Sequence, residues 1–255
     1  MYAINPDGSK KWNNTIGNGN DASIVIDCDG TIYTGTSVDG FFAINPSDGS
    51  IKWNISYDNM KNVDLNGWCF SINNNTIYCG SSNGLFAINL QGQILWYSQL
   101  VGNCLYSTPA FDKTGNIYIG TQIDGLQYVD YKTGIIIETI SNGDCSDCSP
   151  TIDKSGNIYI GTDTGFYVYY SNRTEKFNLS GNFNYVSPVI DNNEYIYIYN
   201  IIDYTISCIN IKDNFLVWSY EIGSGVYSTP AIDKNGVLYI SYVGVSDYGI
   251  VAFGN

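Results

Sequence analysis

The amino-acid sequence predicts an all-β protein, a six-bladed β-propeller of four-stranded antiparallel blades. A tyrosine-centred segment recurs about every 41 residues, turn residues separate the strand-like runs, and no segment has sustained helical periodicity. Repeats of about 40 to 45 residues with four short strands each are typical of propeller blades. The whole chain, residues 1–255, is therefore predicted to form a single domain.

The recurring segment is the second strand of each predicted blade. In its fullest form it reads Ile-Tyr-Ile-Gly, and its central tyrosine occurs at Tyr33, Tyr78, Tyr118, Tyr159, Tyr197 and Tyr239. Apolar residues occupy both faces of this strand and of the third strand, which is typical of sheets buried between two neighbours. The pattern therefore predicts blades that stack face to face around an axis.

A turn with Asp at its start and Gly at its end separates the first and second strands. Asp can accept hydrogen bonds from the turn backbone, and Gly takes the positive φ that closes a short hairpin. A calcium loop would need several converging oxygen ligands, whereas the turns that begin at Asp112, Asp153 and Asp233 each offer one Asp followed by Lys. We therefore interpret these segments as hairpin turns.

The two ends of the chain predict how the ring closes. Residues 227–255 supply three strands, and the segment around Trp12 matches the fourth strand that carries Trp53, Trp96 or Trp218 in other repeats. We therefore expect the N-terminal strand to join the C-terminal blade, which removes an open sheet edge. Residues 1–5 also resemble a third strand, so a seven-bladed ring is the alternative.

The charge composition limits the classes of partner and of chemistry. The net charge is −13 with only 11 Lys and Arg residues, and such a surface repels nucleic acid phosphates and anionic lipids. No signal peptide and no apolar run long enough to span a bilayer is present, so we expect no membrane insertion and leave the compartment open. The absence of His excludes a Ser-His-Asp triad and histidine-ligated metal centres.

The repeat resembles the PQQ-like β-propeller family across essentially the whole chain. Residues 107–110 and 228–231 carry its Ser-Thr-Pro-Ala opening, and residues 42–45 with Trp53 carry its Phe-Ala-Ile-Asn and Trp ending. The resemblance implies the propeller fold. It leaves the function open, because the family includes quinone-dependent alcohol and sugar dehydrogenases as well as an outer-membrane assembly lipoprotein that only binds partners.

Two features of the chain depart from the quinone-dependent enzymes. Those enzymes use adjacent cysteines joined as a disulfide, and Arg or Lys meets the quinone carboxylates. No two Cys are adjacent here, and the single arginine, Arg173, lies in a turn between a third and a fourth strand. We therefore expect no cofactor and a non-catalytic binding, scaffold or structural role, through a protein partner or self-assembly. The alternative is a quinone- or sugar-handling oxidoreductase with an atypical site in the channel mouth.

The candidate binding site is a ring of residues at one end of the predicted channel. Each lies three positions before a Pro or its equivalent at the start of a first strand. They are Asp21, Asn66, Tyr106, Asp147, Tyr185 and Tyr227, with Trp68 nearby. Equivalent positions on inner strands converge on the axis, and aromatic residues are typical interface anchors. The hypothesis is a recognition surface, and the alternative is a water-filled channel with satisfied polar groups.

Cys145 and Cys148 are the one cysteine pair with suggestive spacing, and Cys104 holds the position equivalent to Cys145 one repeat earlier. One interpretation is a redox pair or a soft-metal site with three thiols. The other is incidental thiols in a loop, which we favour, since a four-thiolate zinc site would need another ligand.

Overall fold

Each repeat of the sequence folds into one antiparallel sheet whose strands are hydrogen-bonded in chain order. The computed structural model describes residues 1–16, 22–36, 39–60, 69–82, 84–100, 102–104, 106–140, 142–223, 225–244 and 248–254. Within these residues, the helical content is one short 3-10 helix, Tyr57–Met60. The all-β class and the antiparallel four-stranded sheets predicted from the sequence are confirmed.

The described sheets are an N-terminal hairpin followed by six sheets that we number as blades 1 to 6. The hairpin contains β1 (Tyr2–Ile4) and β2 (Lys10–Asn13). Blade 1 contains β3 (Val25–Ile26), β4 (Ile32–Thr36), β5 (Gly40–Ile44) and β6 (Ile51–Ile55). Blade 2 contains β7 (Phe70–Asn73), β8 (Thr76–Gly80), β9 (Gly84–Asn89) and β10 (Ile94–Gln99). Blade 3 contains β11 (Ala110–Phe111), β12 (Ile117–Thr121), β13 (Gly125–Val129) and β14 (Ile136–Ile140).

The second half of the chain continues the same order. Blade 4 contains β15 (Thr151–Ile152), β16 (Ile158–Gly161), β17 (Gly165–Tyr169) and β18 (Glu175–Ser180). Blade 5 contains β19 (Val189–Ile190), β20 (Tyr195–Asn200), β21 (Thr205–Asn210) and β22 (Phe215–Glu221). Blade 6 contains β23 (Ala231–Ile232), β24 (Leu238–Val243) and β25 (Tyr248–Phe253).

The hairpin turns between first and second strands form as predicted. Asp112 accepts hydrogen bonds from the backbone N–H groups of Thr114 and Asn116 at 2.8 and 3.0 Å, and Gly115 has a φ of 92°. The second carboxylate oxygen of Asp112 accepts a hydrogen bond from Tyr128 Oη at 2.7 Å. These contacts occupy the carboxylate within its own blade, which supports the interpretation as a structural turn.

The apolar core lies between neighbouring blades. Tyr33 and Phe41 of blade 1 share one buried cluster with Phe70, Ile77 and Phe86 of blade 2. Every residue of β5 and of β13 is buried. Burial on both faces of the inner strands confirms the predicted face-to-face stacking.

A tryptophan on the fourth strand docks each of three sheets onto the next. Trp53 Nε1 donates a hydrogen bond to the Leu90 carbonyl at 3.0 Å, and its ring lies against Gly92 of the following blade. A Cβ atom on Gly92 would lie 2.8 Å from the indole, so only glycine permits this approach. The same contacts are made by Trp12 with Pro46 and Gly49, and by Trp96 with Tyr131 and Gly134.

The joint between blades 3 and 4 uses an ion pair in place of this tryptophan. Glu138 holds the fourth-strand position that Trp96 holds in blade 2. It lies opposite Tyr128 on the third strand, and Trp96 lies opposite Ala87. Arg173, with a φ of 69°, stands where the other joints have the turn glycine, and its guanidinium bonds to Glu138. The guanidinium also lies 4.5 Å from the Tyr128 ring centroid, a cation–π geometry. This joint is therefore held by a charged side-chain pair.

The chain ends lie in separate sheets in the described residues. β1 pairs with β2, placing Ala3 opposite Trp12, and β25 pairs only with β24. β1 has the sequence of a third strand, and a short turn joins it to β2. Closing a short loop costs little conformational entropy, so the pairing of β1 with β2 is favoured. The predicted pairing of the N-terminal strand with the last blade is not observed there, and the number of blades and the closure stay predictions.

Candidate functional site

The described ring residues, Tyr106, Asp147, Tyr185 and Tyr227, lie in the segments that lead into the first strands of their blades. In blade 4 this segment is fixed by hydrogen bonds from Cys145 N to Thr121 O at 3.2 Å and from Cys148 N to Cys145 O at 3.2 Å. The segments that precede β15 and β19 are joined by a hydrogen bond from Ser149 N to Ser187 Oγ at 2.9 Å. These equivalent positions of blades 4 and 5 are thereby held close together.

Two of the predicted ring residues meet. The rings of Tyr185 and Tyr227 have centroids 6.3 Å apart at an interplanar angle of 79°, an edge-to-face contact. Tyr106 is exposed, Asp147 is partly buried, and no ring contact joins either to the tyrosine pair within the described residues. The remaining predicted ring residues, Asp21, Asn66 and Trp68, lie outside the described residues.

A pocket of about 290 Å³ lies beside the tyrosine pair. We call it the mouth pocket, and its lining residues are Tyr185, Ile201, Tyr204, Gly225, Val226 and Tyr227. Sequence reasoning missed Ile201 and Tyr204, which lie in the loop between β20 and β21. The sequence of that loop, Ile-Ile-Asp-Tyr, could have indicated them, because it is apolar and aromatic where turn residues are usual. The described lining residues carry aromatic and aliphatic side chains, and none of them is charged.

Asp147 has a perturbed carboxyl group. Burial and the like charge of Asp144 raise the pKa of Asp147 above its ordinary value. A raised native pKa means that the folded state disfavours the carboxylate. The contribution of Asp147 to stability is therefore greatest below the unfolded-state pKa and declines as pH rises through the native pKa.

Replacing Asp147 by asparagine is expected to stabilise the protein at pH 7 and to have a smaller effect at pH 3. The amide lacks the charge that burial and Asp144 disfavour, whereas at pH 3 the wild-type carboxyl is already neutral. Urea unfolding at both pH values measures the difference. Asp7→Asn is the matched control, because hydrogen bonds from Ser9 lower the pKa of Asp7 and a gain at pH 7 is not expected there. Equal gains in both variants would contradict the assignment.

The three candidate thiols bond to different backbone carbonyls. Cys104 Sγ donates to Ser81 O at 3.2 Å, Cys145 Sγ to Thr121 O at 3.8 Å and Cys148 Sγ to Val186 O at 3.6 Å.

All three thiols are buried, and burial raises the pKa of Cys104 and of Cys148 to about 12 and also raises that of Cys145. A thiol held protonated is a weak nucleophile and a weak metal ligand. No group of three Cys, Asp or Glu residues arranged for a metal is found in the described part of the chain. The geometry thus gives no support to a shared redox or metal site.

The described lining of the mouth pocket does not fit a quinone that carries several carboxylates. Arg173, the one guanidinium of the chain, is engaged with Glu138 and Tyr128 at the joint between blades 3 and 4. The described residues that line the mouth pocket include no cation. A carboxylate placed in this pocket would lose its hydration without a compensating charge.

The antiparallel blades, the docking tryptophans and the tyrosine-centred repeat define a β-propeller of the PQQ-like repeat class. The family model described as outer membrane protein assembly factor BamB matches residues 1–182. The chain belongs to this PQQ-like repeat family. No curated protein matches the chain.

Solved structures share the fold at low sequence identity. BamB from Moraxella catarrhalis is 10% identical with a TM-score of 0.69, and the match covers 91% of this chain and 76% of that one. The computationally designed Ika8 protein is 12% identical with a TM-score of 0.75, covering 98% and 75%. A protein of unknown function from Bacteroides caccae is 16% identical with a TM-score of 0.54, covering 84% and 82%. At these identities the likeness concerns the fold alone.

Among the residues that the structure describes, none belongs to a helix whose length and hydropathy would allow it to cross a bilayer.

Proposed function

We propose that this protein is a non-catalytic binding propeller that acts as a scaffold for protein–protein contacts through its mouth pocket. The observation that carries the proposal is the exposed tyrosine pair, since Tyr185 and Tyr227 are 43% and 72% exposed while they contact each other and line a pocket. Tyrosine supplies a large apolar contact area with a polar tip, which favours its use at interfaces.

The character of the partner follows from charge. The chain carries a net charge of −13, and a protein of this charge attracts basic surfaces over long range. The described lining residues of the mouth pocket are uncharged, so their contribution is the burial of aromatic and aliphatic side chains. We therefore propose a partner with a basic surface and an apolar anchor residue. The assembly-factor description of the family is compatible with such a role.

We also propose that the ring contains seven blade positions, with β1 and β2 as the outer half of one blade. The support is that Trp12 docks onto blade 1 as Trp53 and Trp96 dock onto the blades that follow them. The pairing of β1 with β2 supports this arrangement over a six-bladed ring in which β2 joins β25.

Site-specific photo-crosslinking tests the scaffold proposal. A photoreactive phenylalanine analogue in place of Tyr227, in the full chain expressed in its source cells, should cross-link to a discrete protein. The same analogue at Phe215, an aromatic residue of similar exposure outside the mouth pocket, is the matched control. Adding Tyr185→Ala should remove the Tyr227 cross-link. Equal cross-linking from both positions, or none from Tyr227, would overturn the proposal.

A further inference from the structure

The mouth pocket is built by two consecutive blades in the interior of the repeat. Its described lining residues all lie between positions 185 and 227. They belong to the segment before β19, the loop between β20 and β21 and the segment before β23, which we call the mouth-end segments and which comprise residues 181–188, 201–204 and 225–230. The walls of the pocket therefore come from blades 5 and 6 alone and use neither chain end.

Three tyrosines are among the described lining residues. Tyr185 and Tyr227 stand almost at right angles, with an interplanar angle of 79° and ring centroids 6.3 Å apart. Tyr204, on the loop between β20 and β21, is 45% exposed and lines the same pocket. A group held in this pocket is therefore bordered by several aromatic rings that are set at an angle to one another.

The ring of Tyr227 is held in position by a glycine. A Cβ atom on Gly225 would lie 2.8 Å from Cε2 and 3.1 Å from Cζ of Tyr227, so the ring occupies the space beside Gly225 that any other side chain would need. Gly225 is itself fixed, because its carbonyl oxygen accepts a hydrogen bond from Val243 N at 2.9 Å. A ring positioned before the ligand arrives loses less conformational freedom on binding.

The charge around the pocket favours a cation. Residues 177–255 contain seven Asp and Glu and only two Lys, and the mouth-end segments contain Asp203 and no Lys or Arg. Lys212 and Lys234 lie in the turns that follow β21 and β23, at the far ends of strands that begin at the mouth. Lys212 is also paired with Glu194 at 3.1 Å. A positively charged group is therefore attracted to the mouth end of these blades.

The described lining selects among cations. It includes no carboxylate, so an unmodified lysine ammonium, which is strongly hydrated, would lose water without gaining an ion pair. Methylation keeps the positive charge of lysine, and a trimethylated nitrogen has no N–H group left to satisfy. Such a cation is attracted to aromatic ring faces within about 6 Å. A pocket of tyrosines and aliphatic side chains thus suits a methylated ammonium group.

We infer that the mouth pocket binds the trimethylammonium group of a methylated lysine on the partner protein. Tyr185, Tyr204 and Tyr227 surround the cation, and Ile201 and Val226 contact its methyl groups. Aromatic rings are a general means of recognising quaternary ammonium groups. This inference rests on the proposed function, because it names the anchor residue that enters the same pocket.

Peptide binding to the full-length protein tests the inference. The probe is a blocked tripeptide of glycine, trimethyllysine and glycine, and isothermal titration calorimetry should show that it binds saturably. A peptide in which carbon replaces the quaternary nitrogen has the same shape without the charge. It should bind roughly tenfold more weakly, because the attraction between the cation and the rings is lost. The unmodified lysine peptide should also bind more weakly.

Variants of the protein locate the site. Tyr227→Leu removes a ring and should weaken binding roughly tenfold, whereas Tyr227→Phe keeps the ring and should stay within about threefold of the wild type. Tyr204→Leu should also weaken binding. Tyr170→Leu is the matched control, since Tyr170 lies outside the mouth pocket and is 46% exposed, and it should bind the peptide as the wild type does. Circular dichroism confirms the fold of each variant.

Absence of saturable binding to the wild type, equal affinity for the carbon isostere, or unchanged binding by Tyr227→Leu would each overturn the inference. Choline separates the two sources of a trimethylammonium group. Tighter binding of choline than of the trimethyllysine peptide would assign the pocket to a free small cation and overturn the lysine source. The cross-linking experiment is independent: a Tyr227 cross-link without trimethyllysine binding overturns this inference alone, and peptide binding without a cross-link overturns the scaffold proposal alone.

Discussion

Replacing Gly120 by alanine is expected to lower the free energy of unfolding by about 3 kcal/mol. Gly120 is the glycine of the Ile-Tyr-Ile-Gly segment in β12, and a Cβ atom there would lie 2.2 Å from the Cys145 carbonyl oxygen and 3.0 Å from that of Cys148. Both atoms belong to backbone that leads into blade 4, so neither can rotate away. Urea unfolding followed by tyrosine and tryptophan fluorescence measures the loss.

The control for this substitution is Gly254→Ala. The nearest atom to a Cβ on Gly254 is Val237 Cγ2 at 3.6 Å, an ordinary van der Waals contact. Its expected effect is below about 0.5 kcal/mol. If the two variants lose similar stability, backbone crowding is not the reason for the glycine in the repeat.

Replacing Trp96 by alanine is expected to destabilise the protein by about 3 kcal/mol, at the lower end for a large aromatic residue because the indole is only partly buried. The substitution removes the ring that lies against Gly134 and the Nε1 hydrogen bond to the Tyr131 carbonyl at 3.0 Å. It also uncovers Tyr78. The measurement is the free energy of unfolding in urea.

Leu95→Ala is the matched control for the docking tryptophan. Leu95 is the neighbouring residue on the same strand and is about half exposed, so its truncation should cost less than about 1 kcal/mol. A Trp96→Ala loss no larger than that of Leu95→Ala would show that the indole does not dock blade 2 onto blade 3.

Much of the fold could be predicted from the sequence because the repeat recurs within one chain. The spacing of Tyr33, Tyr78 and Tyr118 indicated the blade length, and these tyrosines are buried between blades as expected. The turn at Asp112 forms for the predicted reason, with carboxylate bonds to the backbone. Local turn chemistry and a period of about 41 residues are short-range properties, and short-range patterns are what a single sequence expresses best.

The pairing at the chain ends could not be derived from the sequence in this way. β1 and β25 both have a third-strand sequence, and one fourth strand, β2, matches either of them. Whether β2 pairs with β1 or with β25 depends on two entropic costs, that of closing a short hairpin turn and that of closing the whole ring. A residue pattern does not show which of these costs is lower. The structure describes β2 with β1.

Two of the residues that line the mouth pocket were among the predicted ring residues. Counting back from each Pro found Tyr185 and Tyr227, which do meet, because equivalent positions of adjacent blades converge. The count could not find Ile201 and Tyr204, since their loop joins β20 to β21 and has no fixed spacing from the Pro. It also could not show that Cys104 and Cys145 bond to separate carbonyls. The two residues hold equivalent positions in successive repeats, and equivalent positions need not be in contact.

The burial of the thiols leaves Cys28 as the exposed sulfur of the chain. Cys79, Cys104, Cys145, Cys148 and Cys208 are buried, and Cys69 is half-buried, while Cys28 lies in the exposed turn between β3 and β4. Maleimide reagents modify accessible cysteines selectively. The native chain thus carries one attachment point for a fluorophore or a spin label, on the edge of blade 1. Distances from that label to a bound molecule can be measured without removing a single cysteine.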